Sequence, residues 1–142
     1  MSPRTRNVLA VIAGLVAGGV VNMALITLSP LVIPPPEGVD VTSTEGLRAG
    51  IHLLRPRHFI MPFLAHALGT LVGAILAARL AATHKVPMAY LVGGFFLAGG
   101  IAASAMIPAP TWFKALDVVL AYLPMAWLGG RVGGVHAPAG AA

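Results

Sequence analysis

The chain of 142 residues contains no cysteine and very little charge. Only 9% of its residues are charged, whereas a soluble domain has about a quarter, and 58% are hydrophobic. The absence of cysteine excludes disulfides, thiolate metal sites and cysteine nucleophiles. The low charge excludes an ordinary water-soluble globule, and the high apolar content excludes a disordered chain. The composition therefore predicts a membrane protein, and the length predicts a single domain over residues 1–142.

The net charge of +5 does not indicate a nucleic-acid partner. A nucleic-acid binder clusters its basic residues on a polar face, whereas here they flank apolar runs, as they do in membrane proteins. The expected partners are the lipid bilayer and either other membrane protein subunits or further copies of the chain.

Four apolar stretches have the roughly 20 residues that a helix needs to cross a bilayer. They cover about residues 8–28, 59–81, 88–107 and 113–132. Short links after the second and third stretches make neighbouring helices antiparallel. The sequence predicts an all-α membrane protein, an antiparallel four-transmembrane-helix bundle, with kinks at Pro62 and Pro124.

The basic residues predict that the N- and C-termini both face the cytoplasm. In that orientation the cytoplasmic side holds five basic residues and the outer side four. Arg4 and Arg6 lie in a segment without acidic residues, which favours the inside. All four acidic residues then fall on the outer side, and they are Glu37, Asp40, Glu45 and Asp117.

The outer loop, residues 29–58, is long enough to carry structure of its own. Thr42 and Glu45 fit a capping box in which Thr42 is the N-cap. A short amphipathic helix is predicted from there to about Leu54, ending before Pro56 and lying at the membrane surface. The alternative is a plain linker.

Small residues recur every four positions on the first two helices, and such ladders let helix backbones approach closely in a membrane. The packing candidates are Gly14, Gly18, Gly69 and Gly73. The interface is predicted either within one bundle or between copies, and the alternative is chance spacing in a chain rich in glycine and alanine.

Polar side chains inside the predicted spans are costly, so each is a candidate for a functional site. The predicted outer-half pocket is formed by Asn22, His66, Thr70, Ser104 and Asp117. A histidine near an aspartate can move protons or bind a polar head group. The alternative is that these groups only hold helices together. The presence of Asp117 in an apolar span also has a local explanation. It lies near the start of its predicted helix, where the helix dipole favours a carboxylate, and Lys114 could form an ion pair with it.

No sequence motif indicates catalysis. There is no HExxH, no phosphate-binding loop and no nucleophile elbow. We therefore predict no catalytic residue, no metal site and no cofactor.

Three runs of sequence resemble a group of small bacterial inner-membrane proteins with four predicted helices and no known activity. They are PPPEGVD at 34–40, FLAHALGT at 63–70 and AYLPMAW at 121–127. The resemblance implies a multi-pass protein of the bacterial inner membrane, and it implies nothing about mechanism.

Three functions are compatible with these features. The preferred one is a non-enzymatic accessory or scaffold subunit that packs against a larger membrane complex. The first alternative is a small oligomeric transporter or channel that uses the outer-half polar pocket. The second is a membrane enzyme acting on lipid or quinone, which requires His66 to be reachable from the lipid.

Overall fold

The computed structural model describes residues 1–134, and every regular element in that range is helical. Residues 135–142, including the C-terminus whose side of the membrane was predicted, lie outside the described range. Two short 3₁₀ helices cover Ile51–Leu53 and Pro56–Phe59. The α-helices are α1 (Pro3–Val32), α2 (Thr44–Gly50), α3 (Ile60–Leu80), α4 (Lys85–Met106), α5 (Thr111–Leu120) and α6 (Leu123–Gly134).

Four stretches are long and apolar enough to cross a membrane, which confirms the predicted all-α class with four apolar spans. They are Pro3–Val32, Pro56–Leu80, Lys85–Met106 and Thr111–Gly134. The first is longer than predicted at both ends. At its start, the Ser2 hydroxyl accepts a hydrogen bond from the Thr5 amide and Pro3 occupies the first turn, so the helix begins ahead of the apolar residues.

Proline acts differently in the second and fourth spans. The fourth was predicted as one helix with a kink at Pro124, but it is two helices with a break at Ala121 and Tyr122. Pro124 has no amide hydrogen to donate to the Leu120 carbonyl, so the helix cannot continue unchanged. Pro62, where a kink was also predicted, does not break its helix. Pro62 lies in the first turn of α3, where a missing amide costs little, and α3 continues to Leu80.

Helix α3 is central, since α1, α4 and α6 all pack against it. Glycines bring α1 to backbone contact with α3. A Cβ at Gly18 would lie 2.5 Å from the carbonyl oxygen of Gly69, and one at Gly14 would lie 2.5 Å from that of Gly73. The four predicted packing glycines therefore form two facing pairs within one chain.

The opposite face of α3 is also lined by small residues. A Cβ at Gly129 of α6 would lie 2.6 Å from the Ala74 side chain, and one at Gly133 would lie 2.5 Å from the Ile75 carbonyl oxygen. Ala74 is completely buried. Helix α3 thus lies between α1 and α6 through small residues on both faces.

Hydrogen bonds fix the start of α1 to the turn between α3 and α4. The Asn7 Oδ1 accepts from the backbone amides of Ala82 (2.9 Å) and Thr83 (3.2 Å), and its Nδ2 donates to the Thr83 hydroxyl. The Arg6 Nε donates to the Leu80 carbonyl at 2.8 Å. These bonds place the N-terminal segment beside the short link between the second and third spans.

The predicted loop helix exists but begins later than predicted. Its N-cap is Ser43, whose hydroxyl accepts from the Gly46 amide at 3.0 Å, so the prediction of Thr42 as N-cap is wrong. Thr42 instead donates its amide and hydroxyl to the Asp40 carboxylate, at 2.8 and 2.6 Å. Helix α2 ends at Gly50, and the 3₁₀ turn Ile51–Leu53 brings the helical segment close to its predicted end.

The turn at Asp40 should be sensitive to acid. Hydrogen bonds from Ser43 and Thr42 lower the Asp40 pKa from 3.8 to about 2. A lowered pKa in the folded state means that the stabilisation is complete above pH 3.8 and is lost as the pH falls through about 2. In an NMR titration, the Thr42 amide shift should have its midpoint near pH 2, and Ser43→Ala should raise that midpoint. A wild-type midpoint near 3.8 would contradict these hydrogen bonds.

Candidate functional site

The candidate site is a histidine–aspartate pair that joins two of the predicted spans. The His66 Nδ1 on α3 donates to the Asp117 carboxylate on α5, with Oδ1 at 2.8 Å and Oδ2 at 2.9 Å. Asp117 is buried, with 4% of its side chain exposed. Because a buried carboxylate is stable only with strong hydrogen-bond donors, His66 is a principal reason that Asp117 is tolerated at this position.

Tyr122 completes the cluster from the break between α5 and α6. Its hydroxyl donates to Asp117 Oδ2 at 2.9 Å, and its ring stacks on the His66 ring with centroids 5.9 Å apart. Tyr122 is buried, with 2% of the residue exposed. Asp117 is therefore bonded by two side chains from different elements, and the three form what we call the His66–Asp117–Tyr122 cluster.

Sequence reasoning left Tyr122 out of the predicted pocket. On an unbroken helix, residues five apart are about 140° apart around the axis, so Tyr122 would face away from Asp117. The break after Leu120 turns it back toward the carboxylate. Pro124 was the available signal, because a proline-induced break changes which residues share a face.

The other predicted pocket residues do not bond to Asp117. The Thr70 hydroxyl donates to the His66 carbonyl at 2.8 Å, and the Ser104 hydroxyl donates to the Gly100 carbonyl at 2.8 Å. Each bond returns to the residue's own helix four positions earlier, as serine and threonine commonly do within helices. Both hydroxyls thereby satisfy the backbone of their own helix.

Asn22 lies at the contact between α1 and α3, close to Gly69. Its Oδ1 is buried and has no hydrogen-bond partner within residues 1–134.

Lys114 also departs from expectation, since it donates to the Ser104 carbonyl and forms no ion pair with Asp117 among the described residues. The structure thus brings His66 and Asp117 together and leaves Asn22, Thr70 and Ser104 out of their hydrogen bonds.

His66 is the accessible member of the cluster. Its side chain is 26% exposed, and its Nε2 has no hydrogen-bond partner in the described part of the chain and is not enclosed. With Nδ1 held by Asp117, the neutral ring presents an Nε2 lone pair. This arrangement can take up and release a proton, or accept a hydrogen bond from a polar group that reaches it.

A metal-binding arrangement is not found within residues 1–134, where no three histidine, aspartate or glutamate side chains converge. His66 and Asp117 alone would supply two ligands that are already bonded to each other. What the structure shows within the cluster is hydrogen bonding among His66, Asp117 and Tyr122.

Comparison with known proteins finds no matching family model, no similar curated protein and no similar solved structure.

Proposed function

We propose that the chain is a non-enzymatic accessory or scaffold subunit that packs against another membrane protein. The observation that carries this proposal is an unoccupied row of small residues on α4, which lies between the larger exposed side chains of Leu91, Phe95 and Ile101. Gly94, Ala98 and Ala102 recur every four positions, and all three are exposed. A Cβ added at Gly94 would meet nothing within 4 Å, and the same holds at Gly99.

Gly94 differs from the glycines of α1 and α3 that pack within the chain, because no neighbouring helix covers it. Gly14, Gly18, Gly69 and Gly73 are all in contact with a neighbouring helix. Lipid packs against large side chains as well as against small ones, so a row of small residues gains most from another helix, whose backbone can approach closely there. The exposed row of α1 at the same four-residue spacing instead consists of the bulky residues Ile12, Val16 and Val20, which suit lipid.

The absence of cysteine allows a clean cross-linking test. Ala98→Cys labelled with benzophenone maleimide, which on illumination links to any neighbouring side chain, should give a cross-linked product in native membranes with one defined membrane protein in a fixed ratio. Val16→Cys on the exposed α1 face is the matched control and should give no such product. A Gly94→Leu change in the Ala98→Cys variant should remove the product, because it fills the face.

The outcome distinguishes the related proposals. A product with a second, different subunit supports the accessory function, and a homodimer supports self-association instead. Equal products from Ala98→Cys and Val16→Cys, or none from either, would reject the α4 face as an interface.

The arrangement in the membrane belongs to the same proposal. We infer an antiparallel four-helix bundle in a bacterial inner membrane, with the N-terminus cytoplasmic. The order of contacts supports it, because Gly14 and Gly18 of α1 pair with Gly73 and Gly69 of α3 in reverse order. The segregation of charge also supports it, since the acidic residues lie away from the N-terminal arginines.

A second candidate function is transport of protons or of a small polar solute by an oligomer. The observation that favours it is the accessible His66 bonded to a buried Asp117, because ionisable pairs within membrane spans often mark proton or ion pathways. Flux into liposomes should then fall strongly with His66→Ala and with Asp117→Asn. Flux that survives both substitutions would reject this mechanism.

A further inference from the structure

A lateral groove runs between α1 and α4 near the start of α1. Its volume is about 370 Å³. Both helices line the groove with apolar side chains, and the polar side chains of Arg4 and Asn7 lie at the end nearest the start of α1. The lining residues are Arg4, Asn7, Val8, Val11, Ile12, Met88 and Leu91. Val8 and Leu91 are more than half exposed, so the groove opens sideways, in the direction of the lipid.

The groove exists because α1 and α4 are held apart at this level and close only further along. Val92 reaches Gly14, and Phe96 reaches Gly18, which fills the space between the helices there. Between Arg4 and Ile12 the open length is about 12 Å at the rise of an α-helix. A slot of this length, apolar and open to the bilayer, fits part of an acyl chain.

Among residues 1–134, the charged side chains around the groove are all basic. The α3–α4 turn, the start of α1 and the end of α6 meet at what we call the basic end of the molecule. None of the four acidic residues of the chain lies there. The basic end carries Arg4, Arg6, Arg79, Lys85 and Arg131.

Arg4 is the residue that is free to bind an anion at the groove. It is exposed and makes no hydrogen bond or ion pair within the described residues, whereas the neighbouring Arg6 is bonded to the Leu80 carbonyl. The amide of Asn7 is likewise occupied by Ala82 and Thr83. A guanidinium group at the end of an apolar slot matches a phosphate at the end of an acyl chain.

We propose that the groove between α1 and α4 is a binding site for an anionic phospholipid. One acyl chain lies along Val8, Ile12 and Leu91, and the phosphate lies at Arg4. The site is independent of the proposed accessory function, because it needs no second protein.

The test uses the full chain, purified in mild detergent and stripped of lipid. Phosphatidylglycerol and phosphatidylcholine with identical acyl chains are titrated separately and bound lipid is counted by native mass spectrometry. Wild type should prefer phosphatidylglycerol, and Arg4→Gln should weaken its binding about fivefold, the value of one cation near an anionic lipid. Arg57→Gln, which removes an exposed arginine at the other end of α3, is the matched control and should change nothing.

A second variant tests the acyl chain. Val8→Trp should fill the groove and reduce binding of phosphatidylglycerol, while inorganic phosphate should compete poorly because it lacks the chain. Equal binding of the two lipids by wild type, or equal losses from Arg4→Gln and Arg57→Gln, would mean that the lipid is only part of the general annulus and would overturn the proposal. Unchanged binding by Val8→Trp together with displacement by inorganic phosphate would overturn it in favour of a simple anion site. The two lipids are compared on the wild-type protein, so this part of the test does not depend on whether a variant folds.

Discussion

Gly18→Ala should destabilise the protein by about 3 kcal/mol, although alanine is the better helix former. The added Cβ would lie 2.5 Å from the Gly69 carbonyl oxygen and 2.9 Å from the Phe96 ring. The first of these atoms belongs to the backbone of α3 and cannot rotate away, so α1 must move outward and lose contact along its length. Thermal unfolding in detergent, followed by the fluorescence of Trp112 and Trp127, measures the loss.

The adjacent glycine is the matched control. Gly19→Ala adds the same methyl group to the same helix, but its Cβ would meet nothing within 4 Å. It should be neutral or stabilising by up to about 1 kcal/mol, the difference in helix propensity. Equal losses from both substitutions would show that α1 is sensitive to any change, and no loss from Gly18→Ala would contradict the close contact with α3.

The glycine ladders illustrate how far the sequence predicts packing. Spacing by four identifies which face of each helix is small, because residues four apart lie above one another. Spacing does not identify the register, since a ladder can slide by one turn and still match. The pairing of Gly14 with Gly73 depends on where the Asn7 hydrogen bonds fix the start of α1 to the turn after α3.

The N-cap of α2, in the loop between the first two spans, shows a different limit of prediction from sequence. Thr42 and Ser43 are adjacent hydroxyl residues, and either can cap a helix. The Asp40 carboxylate accepts from the amide and hydroxyl of Thr42 and also from the hydroxyl of Ser43, and of the two hydroxyls it is that of Ser43 that accepts from a helix amide, that of Gly46. A choice between neighbouring residues with similar propensities requires the positions of third groups, which a local pattern does not contain.

The candidate site was predictable in part for a physical reason. His66 and Asp117 stand out because an ionisable side chain within an apolar span needs a partner, and the nearest complementary groups are few. Hydroxyl and amide groups are less predictable. Thr70 and Ser104 find acceptors in their own helices, so nothing obliges them to join a pocket.

Asp117→Ala should destabilise the protein by about 3 kcal/mol. The substitution leaves the buried Tyr122 hydroxyl without an acceptor and also releases the His66 Nδ1. Most of the cost should come from Tyr122, because its hydroxyl is enclosed, whereas the partly exposed His66 ring has room to reorient. Thermal unfolding of the same detergent preparation measures the change.

A double-mutant cycle measures how much of the loss comes from the Tyr122 hydroxyl that is left without an acceptor. In the Tyr122→Phe background no buried hydroxyl remains, so Asp117→Ala should then cost less than in wild type. Asp117→Asn, which keeps an oxygen acceptor of nearly the same shape, should also cost less. If Asp117→Ala instead leaves stability unchanged or raises it, the carboxylate does not hold the helices together. An ionisable group that is kept in a membrane span at a net cost requires a function, so that result would favour the transport candidate.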